Sequence, residues 1–202
     1  MYATIPFYRR AVNSLPSVLP VFTLGPNLIS KSQVFSAWSL SDVTIDTTAV
    51  QSPDNTFSAF KMIEGNLNTF HRASKVTSAV TSGLFYTLSV YAKPVERTWF
   101  RLIADSQFNP SNPTAWFNLT GNGVVGTKLN DVFQSSIAVD KNGFYRAQMS
   151  MQAISSGVCA VYVQMVLGDG QDSYAGDGTS GFIPWGAQLN PGLYATAYLL
   201  TP

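Results

Sequence analysis

The fold is decided by residues 84–104, which read LFYTLSVYAKPVERTWFRLIA. Over residues 84–92, every second side chain is apolar, and aromatic and β-branched residues are frequent. This pattern is typical of a half-buried β-strand. Because Pro94 has no amide hydrogen to donate to a sheet, the strand is expected to end near it. Residues 98–104 resume the alternation, so the stretch predicts two consecutive strands of a β core.

A stretch near the C-terminus belongs to the same predicted core. Residues 181–192 read GFIPWGAQLNPG and place Ile183, Trp185, Ala187 and Leu189 on one side. Further predicted strands lie between turn residues, at 27–29, 43–45, 57–63, 69–76, 115–119, 135–139 and 144–153, and residues 195–200 are expected to close the domain. The glycine-rich segments 121–126 and 168–181 are interpreted as a turn and a loop. Short strands at regular spacing, without a convincing helix, predict an all-β antiparallel β-sandwich of the jelly-roll type.

The N-terminal residues differ from the rest of the chain. Prolines at positions 6, 16, 20 and 26 interrupt every hydrophobic period, which predicts an extended arm over residues 1–26 followed by one sandwich domain over residues 27–202. We expect the arm to anchor the domain to a neighbouring subunit or a larger particle; the alternative is that it folds back onto its own domain. The candidate anchoring residues are Ile5, Phe7, Tyr8, Arg9, Arg10 and Phe22.

The composition indicates what kind of surface the protein presents to its partners. Only 11% of the 202 residues are charged, and the net charge is +1. The usual charged fraction is about a quarter, so the surface must consist largely of small polar groups. Such a surface suits a protein that is packed into an assembly or is durable outside a cell. The balance of charge gives no electrostatic reason to expect nucleic acid or a membrane surface as a partner.

Catalysis is not expected. The chain has one histidine, His71, and one cysteine, Cys159, and it contains no nucleophile elbow, phosphate-binding loop, zinc-protease motif or dinucleotide fingerprint. Cys159 lies in an alternating apolar segment and is interpreted as a small buried hydrophobe. The sequence therefore predicts a protein that is not an enzyme and that carries no cofactor.

Two weak candidate sites remain. Asp169, Asp172 and Asp177 fall in one loop, DGQDSYAGDG, and calcium favours oxygen-rich loops, although Asp-Gly pairs are also common in ordinary turns. The second candidate is a glycan site formed by Trp99, Arg101 and Trp116, because sugars bind exposed aromatic rings beside polar groups. Trp116 is expected to face outward from its strand, and the alternative is that these side chains only pack. Trp38 and Trp185 are expected in the core.

A series of short motifs follows a fixed order along residues 27–202. They are Asn27-Leu28, Phe35, Trp38, Pro53-Asp54-Asn55, YTLSVYAKP at 86–94, Trp99-x-Arg101, GFYR at 143–146, DGTSG at 177–181, WGAQL at 185–189 and YAT at 194–196. Together they resemble the carbohydrate-binding-module-like jelly-roll domain of bacteriophage virion proteins, which occurs in tail fibres, head fibres and related appendages. The usual glycine after Pro-Asp is Asn55 here, a residue that still tolerates the turn.

The resemblance implies a non-enzymatic domain displayed in several copies on the surface of a virion. We therefore expect a phage structural protein, either a capsid decoration, a head fibre or a tail appendage. Its partners would be other virion proteins, bound through the arm, and further copies of itself, with a trimer as the expected oligomer. The alternative is a host-glycan-binding adhesion module. The resemblance brings no universal ligand site with it.

Overall fold

The computed structural model describes residues 25–202. The candidate anchoring residues Ile5, Phe7, Tyr8, Arg9, Arg10 and Phe22 lie outside the described residues. The strands, in chain order, are β1 (Ser39–Ser41), β2 (Val43–Gln51), β3 (Phe57–Glu64), β4 (Asn68–Thr69), β5 (His71–Val76), β6 (Phe85–Pro94), β7 (Trp99–Ala104), β8 (Thr114–Asn118), β9 (Val124–Leu129), β10 (Gln134–Val139), β11 (Tyr145–Gln152), β12 (Ala160–Val166), β13 (Tyr174–Ala175) and β14 (Gly181–Pro191). Two single 3₁₀ turns, Phe35–Ala37 and Lys141–Gly143, are the helical elements of this part of the chain.

The predicted antiparallel β-sandwich is confirmed. Sheet A has six strands in the order β1-β5-β12-β7-β8-β9, and sheet B has six in the order β10-β11-β6-β14-β3-β2. All strand pairs are antiparallel. The chain crosses repeatedly from one sheet to the other, as in a jelly roll. No helix within residues 25–202 is long and apolar enough to cross a membrane.

The two strands predicted from residues 84–104 form as expected and lie in different sheets. β6 ends at Pro94 and is paired on both sides in sheet B, whereas β7 begins at Trp99 in sheet A. The inner faces of both sheets form one apolar core, to which β6 contributes Leu88 and Val90. Trp38 lies in this core, as predicted, and so does Cys159. Trp185 is buried too, but in a separate cluster on the outer face of sheet B, so the expected core position is wrong. A bulge between Trp185 and Gln188 shifts the alternation of β14, and Ile183 and Trp185 therefore face the opposite side from Ala187 and Leu189. Burial raises the pKa of the Cys159 thiol to about 11, which keeps it protonated and unreactive.

β6 is more deeply buried than a half-buried strand. On its outer face Thr87, Ser89 and Tyr91 are buried too, because the C-terminal residues lie across sheet B. Residues 195–200, which were expected to close the domain, form no strand there. Side chains of sheet B hold the C-terminal backbone in place. Gln188 on β14 accepts a hydrogen bond from the amide of Leu199 at 2.8 Å, Asn190 on β14 donates to the carbonyl of Tyr194, and Arg146 on β11 donates to the carbonyl of Thr196.

Two further strand assignments differ from the prediction. Residues 27–29 are irregular, although Leu28 donates a backbone hydrogen bond to Leu189 at 2.8 Å. Residues 124–129, of which the first three were interpreted as part of a turn, form the edge strand β9. β9 is partly or fully exposed along its length, so it lacks the apolar alternation by which strands are recognised.

A buried carboxylate at the end of β3 connects this strand to three other segments of the chain. Glu64, whose side chain is fully buried, accepts hydrogen bonds from Nε of Arg97 at 2.8 Å and from the amide of Asp177 at 2.9 Å, and Tyr174 donates its hydroxyl to it. Burial alone would raise the pKa of Glu64, but these hydrogen bonds and the charge of Arg97 outweigh it and lower the pKa. The ionised carboxylate is therefore the form that stabilises the fold.

The first prediction concerns this carboxylate. A group whose pKa is lowered by folding stabilises the protein above its unfolded pKa, about 4.3 for Glu, and this contribution is lost as the pH falls through the lower folded value. Glu64→Gln should therefore lower the free energy of unfolding at pH 7 by about 3 kcal/mol and flatten the acid side of the stability curve. Chemical denaturation between pH 2 and pH 8 measures both effects.

The matched control is Glu96→Gln. Glu96 is 46% exposed and pairs with Lys61 at 2.7 Å, and exposed pairs contribute about 1 kcal/mol or less. Equal losses for the two variants at pH 7 would contradict the role assigned to Glu64.

Candidate binding groove

The outer face of sheet A carries a straight row of side chains across four strands. The register pairs Arg72 on β5 with Gln164 on β12, Gln164 with Arg101 on β7, and Arg101 with Trp116 on β8. Directly opposite residues of paired strands share a face. Their sequence neighbours, such as Ala73 and Leu102, belong to the core, so the row points away from it. The predicted shared face of Trp99 and Arg101 is confirmed, with both on this outer side.

The loop at residues 167–173 folds over part of this row. Trp116 donates its indole N–H to the carbonyl of Gln171 at 2.7 Å, Asp172 forms an ion pair with Arg101, and Gln164 donates to the carbonyl of Asp172. Trp116 is therefore only 2% exposed. The expectation that it presents an open ring to solvent is wrong, because its outward face is covered by this loop.

A small residue allows the loop to dock. Asp169 accepts hydrogen bonds from the amide of Thr127 at 2.7 Å and from its hydroxyl at 3.1 Å. A Cβ atom on Gly126 would lie 2.3 Å from Oδ1 of Asp169 and 3.0 Å from the ring of Trp99. Trp99 is half-buried at this contact, so it belongs to the docking site of the loop.

Beside the loop lies an open groove of about 390 Å³. Its floor includes Arg72, Arg101, Trp116 and Tyr162, and its walls include Asp172 on one side and Ser111, Asn112 and Asn130 on the other. The second wall is internally braced, because the amide of Asn130 donates to the carbonyls of Ser111 at 2.6 Å and Asn112 at 3.0 Å. Hydrogen-bonding groups thus converge on one concavity from three loops and four strands.

The groove holds two guanidinium groups with unused donors. Arg72 lies 4.9 Å from the ring of Phe70 and 4.7 Å from that of Tyr162, and it donates to no acceptor within residues 25–202. Arg101 is 7% exposed and lies 5.2 Å from the Trp116 ring. Its Nη2 donates to Gln164 at 3.0 Å, but its buried Nε has no partner in the described chain.

Electrostatics make the groove cationic. Burial lowers the pKa of Arg101, and the neighbouring charge of Arg72 acts in the same direction, while Asp172 opposes both effects. Arginine remains protonated in proteins. Two positive charges therefore face one carboxylate in the described lining of the groove.

The three aspartates of the candidate calcium loop are not brought together. Asp169 binds Thr127 and Asp172 binds Arg101, as described above. Asp177 caps a turn, accepting from the hydroxyl of Ser180 at 2.6 Å and from the amides of Ser180 at 2.7 Å and Thr179 at 2.8 Å. The hydroxyl first, and then the amides, lower the pKa of Asp177. Within residues 25–202, no group of three or more His, Cys, Asp or Glu side chains is placed to hold a metal.

Several groove residues were missed by the sequence reasoning. Arg72 and Tyr162 lie on strands recognised or implied by alternation, and Phe70 directly precedes β5. Their convergence depends on β5 and β7 both pairing with β12, which a single sequence does not reveal. The asparagines offer a weak signal: Asn112 and Asn130 have positive φ of 61° and 58°, a conformation that asparagine favours in turns.

A second concavity, of about 460 Å³, lies at one end of the sandwich. It is lined mainly by apolar side chains, including Phe85, Phe108, Phe133 and Ile154. Because it lacks the converging cationic and amide groups, it is the less specific of the two sites.

The second prediction tests the docking of the loop. Gly126→Ala should displace Asp169 and expose residues 167–173, because the new methyl group would overlap its carboxylate. Losing hydrogen bonds worth about 1.4 kcal/mol would speed amide exchange in the loop roughly tenfold. Hydrogen–deuterium exchange with mass spectrometry measures this rate.

The control is Gly168→Ala in the loop itself, where the nearest atoms to the added Cβ lie at 3.8 Å. This variant should leave the exchange unchanged. If both variants exchange alike, Gly126 does not control docking.

Comparison with protein-family models found no match, and none was found among curated proteins. Among solved structures, the chain is similar to the enzymatically active domain of tailspike protein 4 of bacteriophage CBA120 (13% identity, TM-score 0.46), covering 82% of this chain and 21% of that one. It is also similar to the CBM22-1–GH10 modules of Clostridium thermocellum xylanase 10B, with 13% identity and a TM-score of 0.44, over 88% of this chain and 30% of that one. A third similar structure is the mannan-recognising carbohydrate-binding module TmCBM27, with 11% identity and a TM-score of 0.41, over 84% of this chain and 97% of that one. The chain thus spans about a fifth of the tailspike chain.

Proposed function

We propose that this chain binds a saccharide in the groove on the outer face of sheet A, and that it acts as a glycan-binding adhesion module displayed on a phage particle. The observation that carries the binding proposal is the convergence of unused hydrogen-bond donors and half-buried aromatic rings in one concavity. Arg72, between Phe70 and Tyr162, shows both features at one point.

The lining matches the two-sided chemistry of sugars. A pyranose presents hydroxyl groups at its edges and C–H groups on its faces. The groove offers Thr114, Asn112 and Asn130 for the first, and Tyr162 and Ile103 for the second. Its volume of about 390 Å³ lies within the usual range of small-ligand sites, about 300–1,000 Å³.

Binding without hydrolysis is the activity that fits this lining. Glycosidases use two carboxyl groups flanking the scissile bond. Among the described residues that line the groove, Asp172 is the single carboxylate, and it is paired with Arg101. The described lining therefore lacks the pair of carboxyl groups that glycoside hydrolysis uses.

Display on a virion is supported by the sequence resemblance over residues 27–202. In this proposal residues 1–26 anchor the domain to other virion proteins or to further copies, with a trimer as the proposed oligomer. Repetition suits an adhesion module, because several weak sites on one particle act together.

The third prediction tests glycan binding. On an array of bacterial surface glycans, the protein should bind a defined subset. Tyr162→Ala should weaken that binding about tenfold or more, the effect of losing a central aromatic contact. Phe57→Ala, which truncates an aromatic that is 72% exposed on sheet B, serves as the control and should bind normally. Absence of binding to any glycan, or equal binding by both variants, would contradict the proposal.

The fourth prediction tests the arm in the full chain. Replacing Phe7 and Phe22 together with Asp should prevent incorporation into the particle and reduce the molar mass to that of a monomer, because charged groups resist burial in an apolar interface. Light scattering and particle composition measure these outcomes. Glycan binding by the monomeric sites should persist. Unchanged mass and incorporation would show that the arm is not the anchor.

A further inference from the structure

We infer that the groove selects acidic saccharides, with Arg72 binding the oxyanion of a carboxylate or sulfate substituent. This inference rests on the proposed function and concerns the same groove. The inference specifies the chemical class of the sugar. A concavity alone does not determine that class.

Arg72 is held in place without using its hydrogen-bonding capacity. Its guanidinium lies 4.9 Å and 4.7 Å from the ring centroids of Phe70 and Tyr162. Such contacts fix a guanidinium through its π-face, while its N–H donors lie in the plane of the group. No carboxylate, carbonyl or hydroxyl within residues 25–202 accepts from them. An arginine ordered in this way, with free donors in a groove, has the form of an oxyanion receptor.

The arrangement of charges leads to the same ligand class. Asp172 forms its ion pair with Arg101, not with Arg72. The described lining therefore keeps one uncompensated positive charge, together with the unpartnered Nε of Arg101. A neutral sugar would leave both cations as they are, whereas an oxyanion beside Arg72 would relieve their mutual repulsion.

Arg72 differs from the other arginines of the described chain in its hydrogen bonding. The other arginines of residues 25–202 are already engaged: Arg97 binds Glu64 and Asp177, and Arg146 donates to Ser89 and to the carbonyl of Thr196. Arg72 alone among them combines partial burial, two aromatic neighbours and no acceptor. It is the one arginine of residues 25–202 whose guanidinium donates to no acceptor within them.

The test uses an array of matched pairs of glycans. The pairs are uronate oligosaccharides and their methyl esters, sialylated glycans and their desialylated forms, and sulfated and unsulfated galactans. The acidic member of the bound pairs should bind at least about tenfold more tightly, as expected for a charge-assisted hydrogen bond. The uronate and sialylated pairs report a carboxylate, and the galactan pair reports a sulfate.

Variants locate the effect on Arg72. Arg72→Gln should remove most of the acidic preference, whereas Arg72→Lys should retain part of it as a point charge without the planar fork. Lys141→Gln makes the same change in net charge at an exposed site on the opposite side of the sandwich, and should change nothing. Thermal melts of each variant confirm folding.

The outcomes separate the two proposals. Equal binding of acidic and neutral members, with Tyr162 still required, would overturn the acidic preference and leave saccharide binding intact. A preference that survives Arg72→Gln, or that falls equally with Lys141→Gln, would also overturn it, because the attraction would then be non-specific. Failure to bind any glycan would overturn both proposals together.

Discussion

The ion pair between Arg101 and Asp172 is the contact on which the groove depends. A buried guanidinium without a partner would cost several kcal/mol, so Asp172 is drawn down onto the outer face of sheet A. The loop at residues 167–173 comes with it and completes its attachment through Trp116 and Gln171. One electrostatic requirement, set by a charged residue in the middle of β7, thereby positions one wall of the groove; the opposite wall is formed by Ser111, Asn112 and Asn130.

The outer faces of the two sheets are covered to different extents. On sheet B, the C-terminal residues cover the outer face and bury Tyr91 and Trp185 behind Tyr198. On sheet A, a short loop covers one part of the face and leaves the rest open. Aromatic rings on the covered face are buried against one another, whereas Phe70 and Tyr162 on the open face remain half-buried. The location of the candidate site follows from this unequal coverage and not from any single motif.

The strands of the core could be predicted from the sequence, but the site only in part. Arg101 and Trp116, two of the candidate glycan-binding residues, line the groove, whereas the other aromatic and cationic side chains of its lining were not identified. Pro94 marks the end of β6 because a missing amide hydrogen is a local property. The exposure of Trp116 is not local: alternation places it outward correctly, but a loop more than fifty residues away along the chain covers it. Arg72 illustrates the other limit of sequence-based prediction: it was not identified as a site residue, although it lies in the groove. Its sequence neighbourhood is ordinary. Its significance depends on β12 pairing with both β5 and β7, and on the fact that no group of residues 25–202 accepts a hydrogen bond from its guanidinium.

The low charge of the chain gives a reason why a single arginine can determine specificity. With 11% of residues charged and a net charge of +1, the surface has little long-range field that could attract anions in general. Attraction is then limited to the few ångströms around the groove, where partial burial reduces screening by salt. A uniformly basic surface would bind every acidic polymer it met, whereas one preorganised guanidinium in a neutral surround requires the oxyanion to be presented at the right place on the sugar. Weak sites of this kind gain strength from repetition without losing selectivity, which is the combination that an adhesion module on a particle needs.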